Sequence, residues 1–442
     1  MPSSTLLQLV ARGRQDAYLT GTPQFTYFKQ VYRRYTPFAI ESIPIELDGA
    51  PDFGKRVSCV IPRKAELLGA MFLEVDLPAL PDVSAADGST IPVYWANSIG
   101  HLLIDTVSVE IGDKEIDKHT GAWLQIWSEL TTPAEKRDGY NEMVGQSDVF
   151  PTAAQRGPLR LTIPLRFWFN TTLGAALPLI ALQAHPVRII IHLRRFQDCW
   201  WTEELLEPPA PGTPCPTVPP VAPTRLQLFG DYIFLDTPER QRFAAAEHEY
   251  LITQLQYSPP QSIPAAVTTA NIPLTFNHTC TEFIWTVQQE RIAAAHEWFN
   301  FSNRLNAGGG EPATILTDPL ESALIRLDGD ERFQRRYAQY FRITQPYQYH
   351  TVIPRTVNDY IYLYSFATRP EDYAQPSGTI NCSKIDDIAL NLTFSTTPYS
   401  TTTSPPPATP TPSSWERTVV VYTVNYNVLR IVGGLGGLAF IA

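Results

Sequence analysis

The chain has 442 residues, 44% hydrophobic and 18% charged, which is enough apolar surface for two or three domains and excludes global disorder. Its formal net charge is −10 with no run of Lys or Arg, so the bulk surface lacks the cationic footprint that nucleic-acid binding requires. Forty prolines against 24 glycines, with 20 Tyr and 21 Phe, point away from long helices and towards β-structure joined by stiff connections.

The opening residues, MPSSTLLQLVARGRQDAYLTG, carry too short an apolar run before Arg12 for a secretory signal, and residues 1–25 are expected to form an arm. No window of 18 consecutive apolar residues exists, so no membrane-spanning helix is expected. Strands are expected at 38–47, 67–77, 101–111, 159–169 and 187–195, several with period-two alternation. Residues 121–131 place Trp123, Ile126, Trp127 and Leu130 at helical spacing, which predicts a helix that plugs the end of a barrel. A shorter helix is expected at 175–183. The stretch EPPAPGTPCPTVPPVAPT, 207–224, is too rich in proline for a helix or central strand and is expected to link two halves.

In the second half, strands are expected at 250–257, 270–278, 281–289, 358–367, 385–394 and 418–432. A Pro/Thr-rich stretch, 395–414, lies between the last two and reads as a long loop joining sheet neighbours. Strands and helices do not alternate, so a doubly wound sheet is not expected. The expected fold is all-β: two tandem sandwiches of jelly-roll size, 26–206 and 225–442, with short helices in their loops.

No catalytic constellation emerges. The C-terminal Gly434, Gly436, Gly437 and Ala439 match a dinucleotide-binding turn, but too few residues follow for the phosphate-carrying helix and the acidic strand beyond it. They are read instead as a tight turn after a final strand. His248-Glu249 and His296-Glu297 lack a second histidine at i+4, so no metalloprotease site is expected. His101 and Asp105 bracket an apolar run and are read as a strand end. The pairs Arg33-Arg34, Arg194-Arg195 and Arg335-Arg336 sit beside aromatic residues, which suits packing and inter-subunit ion pairs. Cys59, Cys199, Cys215, Cys280 and Cys382 are scattered, so neither a zinc site nor a disulfide framework is expected. Glycosylation triplets occur at Asn170, Asn277, Asn300, Asn381 and Asn391. No cofactor, metal or catalytic residue is assigned, and the profile is that of a structural protein. A carbohydrate-binding β-sandwich of attachment or lectin type is the alternative.

Several stretches resemble the major capsid proteins of nucleocytoplasmic large DNA viruses. They include LQLVARGRQDAYLTGTPQFTYFKQVYRRYTPFAIESI (7–43), NSIGHLLIDTVSVEIGDKEIDKHTGAWLQIWSELT (97–131), GDERFQRRYAQYFRITQPYQYHTVIP (329–354) and NYNVLRIVGGLGGLAF (425–440). The resemblance implies a double jelly roll, a homotrimeric capsomer with a pseudo-hexagonal outline, and a location in the virion shell after assembly in the host cytoplasm. It also implies an inward-facing N-terminal arm. Arg12, Arg14, Lys29, Arg33 and Arg34 are then candidate contacts to minor capsid proteins or the inner membrane surface. With the last strand as barrel closure, 395–414 is expected at the end opposite the C-terminus, on the outer surface.

Overall fold

A computed structural model describes residues 13–26, 28–29, 32–84, 90–206, 218–303, 318–354, 360–395 and 416–441. Eight strands make the first sandwich: β1 (Phe38–Ile45), β2 (Arg56–Val60), β3 (Leu67–Leu77), β4 (Ile104–Ile111), β5 (Lys114–Thr120), β6 (Leu159–Pro164), β7 (Val187–Leu193) and β8 (Arg225–Leu235). One sheet runs β1–β8–β3, with β6 on the far edge of β3; the other runs β2–β7–β4–β5. Pairing first with eighth and third with sixth is the jelly-roll order. The alternation in β3 shows why it forms. Met71, Leu73, Val75 and Leu77 are buried, while Phe72, Glu74 and Asp76 are half-buried on the outer face. Each inward side chain contributes about 1.5–3 kcal/mol of burial.

The second sandwich repeats the order. Its strands are β9 (His248–Tyr257), β10 (Thr269–Pro273), β11 (Thr279–Gln289), β12 (Leu320–Leu327), β13 (Asp330–Glu331, resuming at Arg336–Tyr337), β14 (Ile361–Ser365), β15 (Ile388–Phe394) and β16 (Arg417–Val432). The sheets are β9–β16–β11–β14 and β10–β15–β12–β13. A further strand, β17 (Leu435–Leu438), folds back on β16, so 418–432 is not the last strand. The molecule is thus a double jelly roll, as the sequence led us to expect.

Three expectations are corrected. The Pro-rich 207–224 does not divide the sandwiches. β8, which follows it, pairs with β3 from Arg225↔Asp76 to Ile233↔Leu67 and so closes the first sandwich. Residues 207–217 of the segment lie outside the described residues. The passage to the second sandwich is a later helix, Thr237–Ala245, capped by Asp236. Residues 175–183 form no helix; Leu177–Pro178 pair with Leu67–Leu68 instead, because Pro178 supplies no amide and restricts the residue before it. Residues 101–103 belong to a helical turn, Ile99–Leu103, ahead of β4.

Residues up to Phe38 form a unit of their own, and Ala39–Ala442 another. In the first, Arg14–Thr20 is helical with no buried residue. Tyr18, Phe25, Phe28, Tyr32 and Tyr35 are all exposed there. The Pro/Thr-rich 395–414 lies outside the described residues except for Ser395. Its flanks are fixed: Ser395 N–H donates to Pro319 O, and Glu416 O accepts from Glu290 N–H. Ser395 directly follows β15 and Glu416 directly precedes β16, and the 16-residue strand β16 spans about 50 Å from Arg417 to Val432.

Candidate assembly surfaces

The two sandwiches are clasped by the helix α1 (Gly121–Thr131). Thr120 Oγ1 caps it, accepting from Trp123 N–H at 3.1 Å. Leu124 points back into the first core, whereas Trp123, Ile126, Trp127 and Leu130 belong to the core of the second. Trp123 stacks on Tyr422 at 5.6 Å, and Trp127 stacks on Tyr373 at 5.9 Å. The plug anticipated from helical spacing is therefore present, and the sandwich it fills is the second one.

Two smaller clasps flank it. Asp117 of β5 accepts from Leu255 N–H of β9 at 3.0 Å, and Gln254 donates to Ile116 O. Asp117 also contacts His119 at 3.0 Å, the histidine stacking on Phe167. The second clasp is the glycine tail. Gly433 and Gly434 take φ values of +59° and +84°, turning the chain back into β17. Gly434 O accepts from Ala184 N–H at 3.0 Å, and Gly436 N–H donates to His185 Nδ1 at 3.2 Å. These glycines open a strand, not a helix, and seat the end of the second sandwich on the first. A Cβ on Gly436 would lie 2.7 Å from Leu182 Cδ2 and 2.9 Å from Ile111 Cγ2. Gly436→Ala is expected to cost about 1–3 kcal/mol by overpacking, and Gly437→Ala, which meets no atom within 4 Å, under about 0.5 kcal/mol. Denaturant midpoints of the two variants check this.

Two buried polar clusters lie beside the plug. His350 contacts Glu282 Oε2 at 2.8 Å through Nε2 and Glu371 Oε1 at 2.9 Å through Nδ1. Burial alone would lower this imidazole's pKa, but the Glu282 charge and hydrogen bond, joined by Glu371, raise it to about 9. Burial also works against the Glu371 carboxylate, yet bonds from His350 and Thr351 lower its pKa. His101 is the opposite case. Burial pushes it down to about 4, keeping it neutral. Its Nδ1–H faces Gln125 Oε1 at 2.7 Å, because Gln125 Nε2 donates to Glu129, and its Nε2 accepts from Tyr140 at 2.9 Å. Asp105 stands apart, opposite Arg194. Both clusters are enclosed and act as structural fastenings.

The other sequence candidates disperse. Arg14, Lys29, Arg33 and Arg34 are exposed in the N-terminal unit, and Arg12 lies outside the described residues. Asn300 is buried against Glu297, the side-chain nitrogen of Asn391 is buried, and Asn170 donates to Gly69 O. Asn277 and Asn381 are exposed. His248 and His296 bond to the carbonyls of Phe243 and Trp200. Arg194 and Arg336 lie over the rings of Trp298 and Tyr340. Cys59, Cys199, Cys280 and Cys382 are free and buried, and burial pushes the Cys59 thiol up to about 12.

The chain was compared with known proteins on this basis. Residues 26–236 match the family model described as major capsid protein N-terminus, and 239–437 match that of the large eukaryotic DNA virus major capsid protein. The seam between the two matches falls just after β8, where the first sandwich ends. The major capsid protein of Pyramimonas orientalis virus is 39% identical, covering 98% of both chains. That of Paramecium bursaria Chlorella virus 1 is 37% identical over 98% of this chain and 99% of its own. Among solved structures, PBCV-1 VP54 superposes with a TM-score of 0.76 at 33% identity, covering 94% of this chain and all of its own. The Faustovirus major capsid protein shares the fold, with a TM-score of 0.72 at 13% identity over 96% of this chain and 95% of its own.

Proposed function

This chain belongs to the major capsid protein family of large eukaryotic DNA viruses, and from that membership we propose that three copies close into a ring of six jelly rolls, the capsomer of an icosahedral shell. Its role is structural, and its place is the capsid of the virion. The observation that carries the trimer is the interlock of two similar sandwiches within Ala39–Ala442, joined by α1 and the glycine hairpin. Three such chains about a threefold axis give six similar barrels, a pseudo-hexagon that tiles by closed symmetry. Obligate contacts of that kind draw on large apolar interfaces.

The N-terminal unit supports a docking role. Its aromatic side chains, with Phe28 fully exposed, form an apolar surface of the sort that marks interaction sites. Interleaved with Arg14, Lys29, Arg33 and Arg34, they suit a strap onto minor capsid proteins or an inner membrane surface. Shell assembly belongs to the host cytoplasm. The fixed flanks of 395–414, at the end of β16 away from the glycine hairpin, favour an outward loop there. Host glycans, where added, fall on the exposed Asn277 and Asn381. The solution mass tests the trimer: three chains of 49.5 kDa give about 150 kDa, and a stable species of one chain would refute it.

A further inference from the structure

The segment that follows β13 occupies in the second sandwich the place that α1 occupies in the first. It comprises a π-helical turn, Tyr340–Thr344, and a helix, Gln345–Tyr349. Aligned residue for residue, Gly121 falls on Ala338, Leu124 on Phe341, Trp123 on Tyr340, Ile126 on Ile343 and Leu130 on Tyr347. The inward residue is matched: Leu124 is buried in the first core and Phe341 in the second. The outward residues differ in what covers them. Trp123, Ile126 and Leu130 are buried in the second sandwich, whereas Ile343 is 41% and Tyr347 76% exposed. One helix-and-turn element has found its socket within the chain, and its duplicate has not.

The duplication also locates the missing socket. Trp123 seats on Tyr422 of β16, which pairs with Ile284 of β11. In the first sandwich β8 and β3 hold the same positions as β16 and β11, and each pair carries a register shift near the same point. Beside those shifts the outward-facing pair in the first sandwich is Phe229↔Phe72, one pair beyond the shift, where the second sandwich has Tyr422↔Ile284 two pairs beyond it. Both phenylalanines are half-buried on the outer face, next to β1, whose Ile40 is exposed. Arg332 and Arg336 are exposed beside the second plug, while Glu74 and Asp76 on the receiving face are paired with Arg225 and Arg160 of their own chain, so the match rests on the apolar residues.

We propose that Tyr340–Tyr349 is the intermolecular counterpart of α1, its Ile343 and Tyr347 seating on the Phe72–Phe229 face of a second copy of this chain. This rests on the trimer reading and adds to it the residues at which one chain meets the next. Around the ring, plugs within chains then alternate with plugs between chains, which makes six similar contacts from one duplicated element.

The test pairs Ile343→Cys with Phe229→Cys in the full chain, on a background whose described cysteines are buried. After mild oxidation with a low-molecular-weight disulfide, which takes up the two electrons as two thiols, covalent trimers are expected on a non-reducing denaturing gel. Each single-cysteine variant should stay monomeric there. Ile343→Asp combined with Tyr347→Asp is expected to shift the native mass from three chains to one. A native trimer that yields no interchain disulfide, or that survives both aspartates, overturns the plug assignment and leaves the trimer standing. A wild-type chain of single mass overturns both. If the aspartate variant does not fold, the disulfide experiment decides.

Discussion

His350→Leu is expected to cost about 3–5 kcal/mol of stability, the range for removing one partner of a buried ion pair. The side chains of His350 and Glu282 are fully enclosed, and without the imidazole the Glu282 carboxylate would face Glu371 with no cation between them. Replacing both His350 and Glu282 by leucine should recover part of the loss, because the uncompensated charge goes with its partner. The same pair sets a pH dependence. The imidazole titrates at about 9 in the folded chain against an ordinary 6.5, so its stabilisation is complete below about 6.5 and drains away as pH rises through 9. Urea midpoints of wild type and His350→Leu, measured from pH 6 to 9.5, should converge across that window. Parallel midpoints would show that the charged pair stabilises nothing.

Trp123→Ala ranks beside it. The indole lies between Trp127 and Tyr422, stacked on both at 5.2 and 5.6 Å. Truncation leaves a cavity that these rigid neighbours cannot fill, at an expected cost of about 3–5 kcal/mol. Because the indole comes from the first sandwich and the cavity opens in the second, the effect should reach beyond stability. Calorimetry should show the single cooperative transition of the wild type separating into two, as each sandwich melts with less support from the other. Trp123→Phe, which keeps a ring in place, should retain one transition. A loss under about 1 kcal/mol for Trp123→Ala would mean that α1 is not the clasp described.

What could be read from the sequence depended on the distance over which each signal acts. β3 and α1 were legible to the residue, because alternation at 67–77 and helical spacing at 121–131 are local patterns. β5, KEIDKHT, was missed because its polar residues serve a neighbouring strand: Asp117 bonds to Leu255, 138 residues away. β12, LESALIRL, carries little β-signal of its own and is a strand because β15 and β13 flank it. β8 was misassigned because prolines mark a break in the sheet without saying where the chain goes afterwards. The aromatic plug was visible as a stripe, though which core it entered was not. The His350 cluster was invisible, since Glu282 lies 68 residues from it. The C-terminal glycines have the spacing of a cofactor loop, but Gly433 and Gly434 turn the chain into a strand and not into a helix. What they do, seating Gly436 against Leu182 and Ile111, depends on a loop far upstream.

The capsomer itself is the most direct object to measure. Electron microscopy of the purified assembly should show three chains around a threefold axis, with six jelly rolls whose neighbours are joined alternately by α1 within a chain and by Tyr340–Tyr349 between chains. Particles of one or two chains, or a threefold ring in which those elements face away from the junctions, would contradict the account.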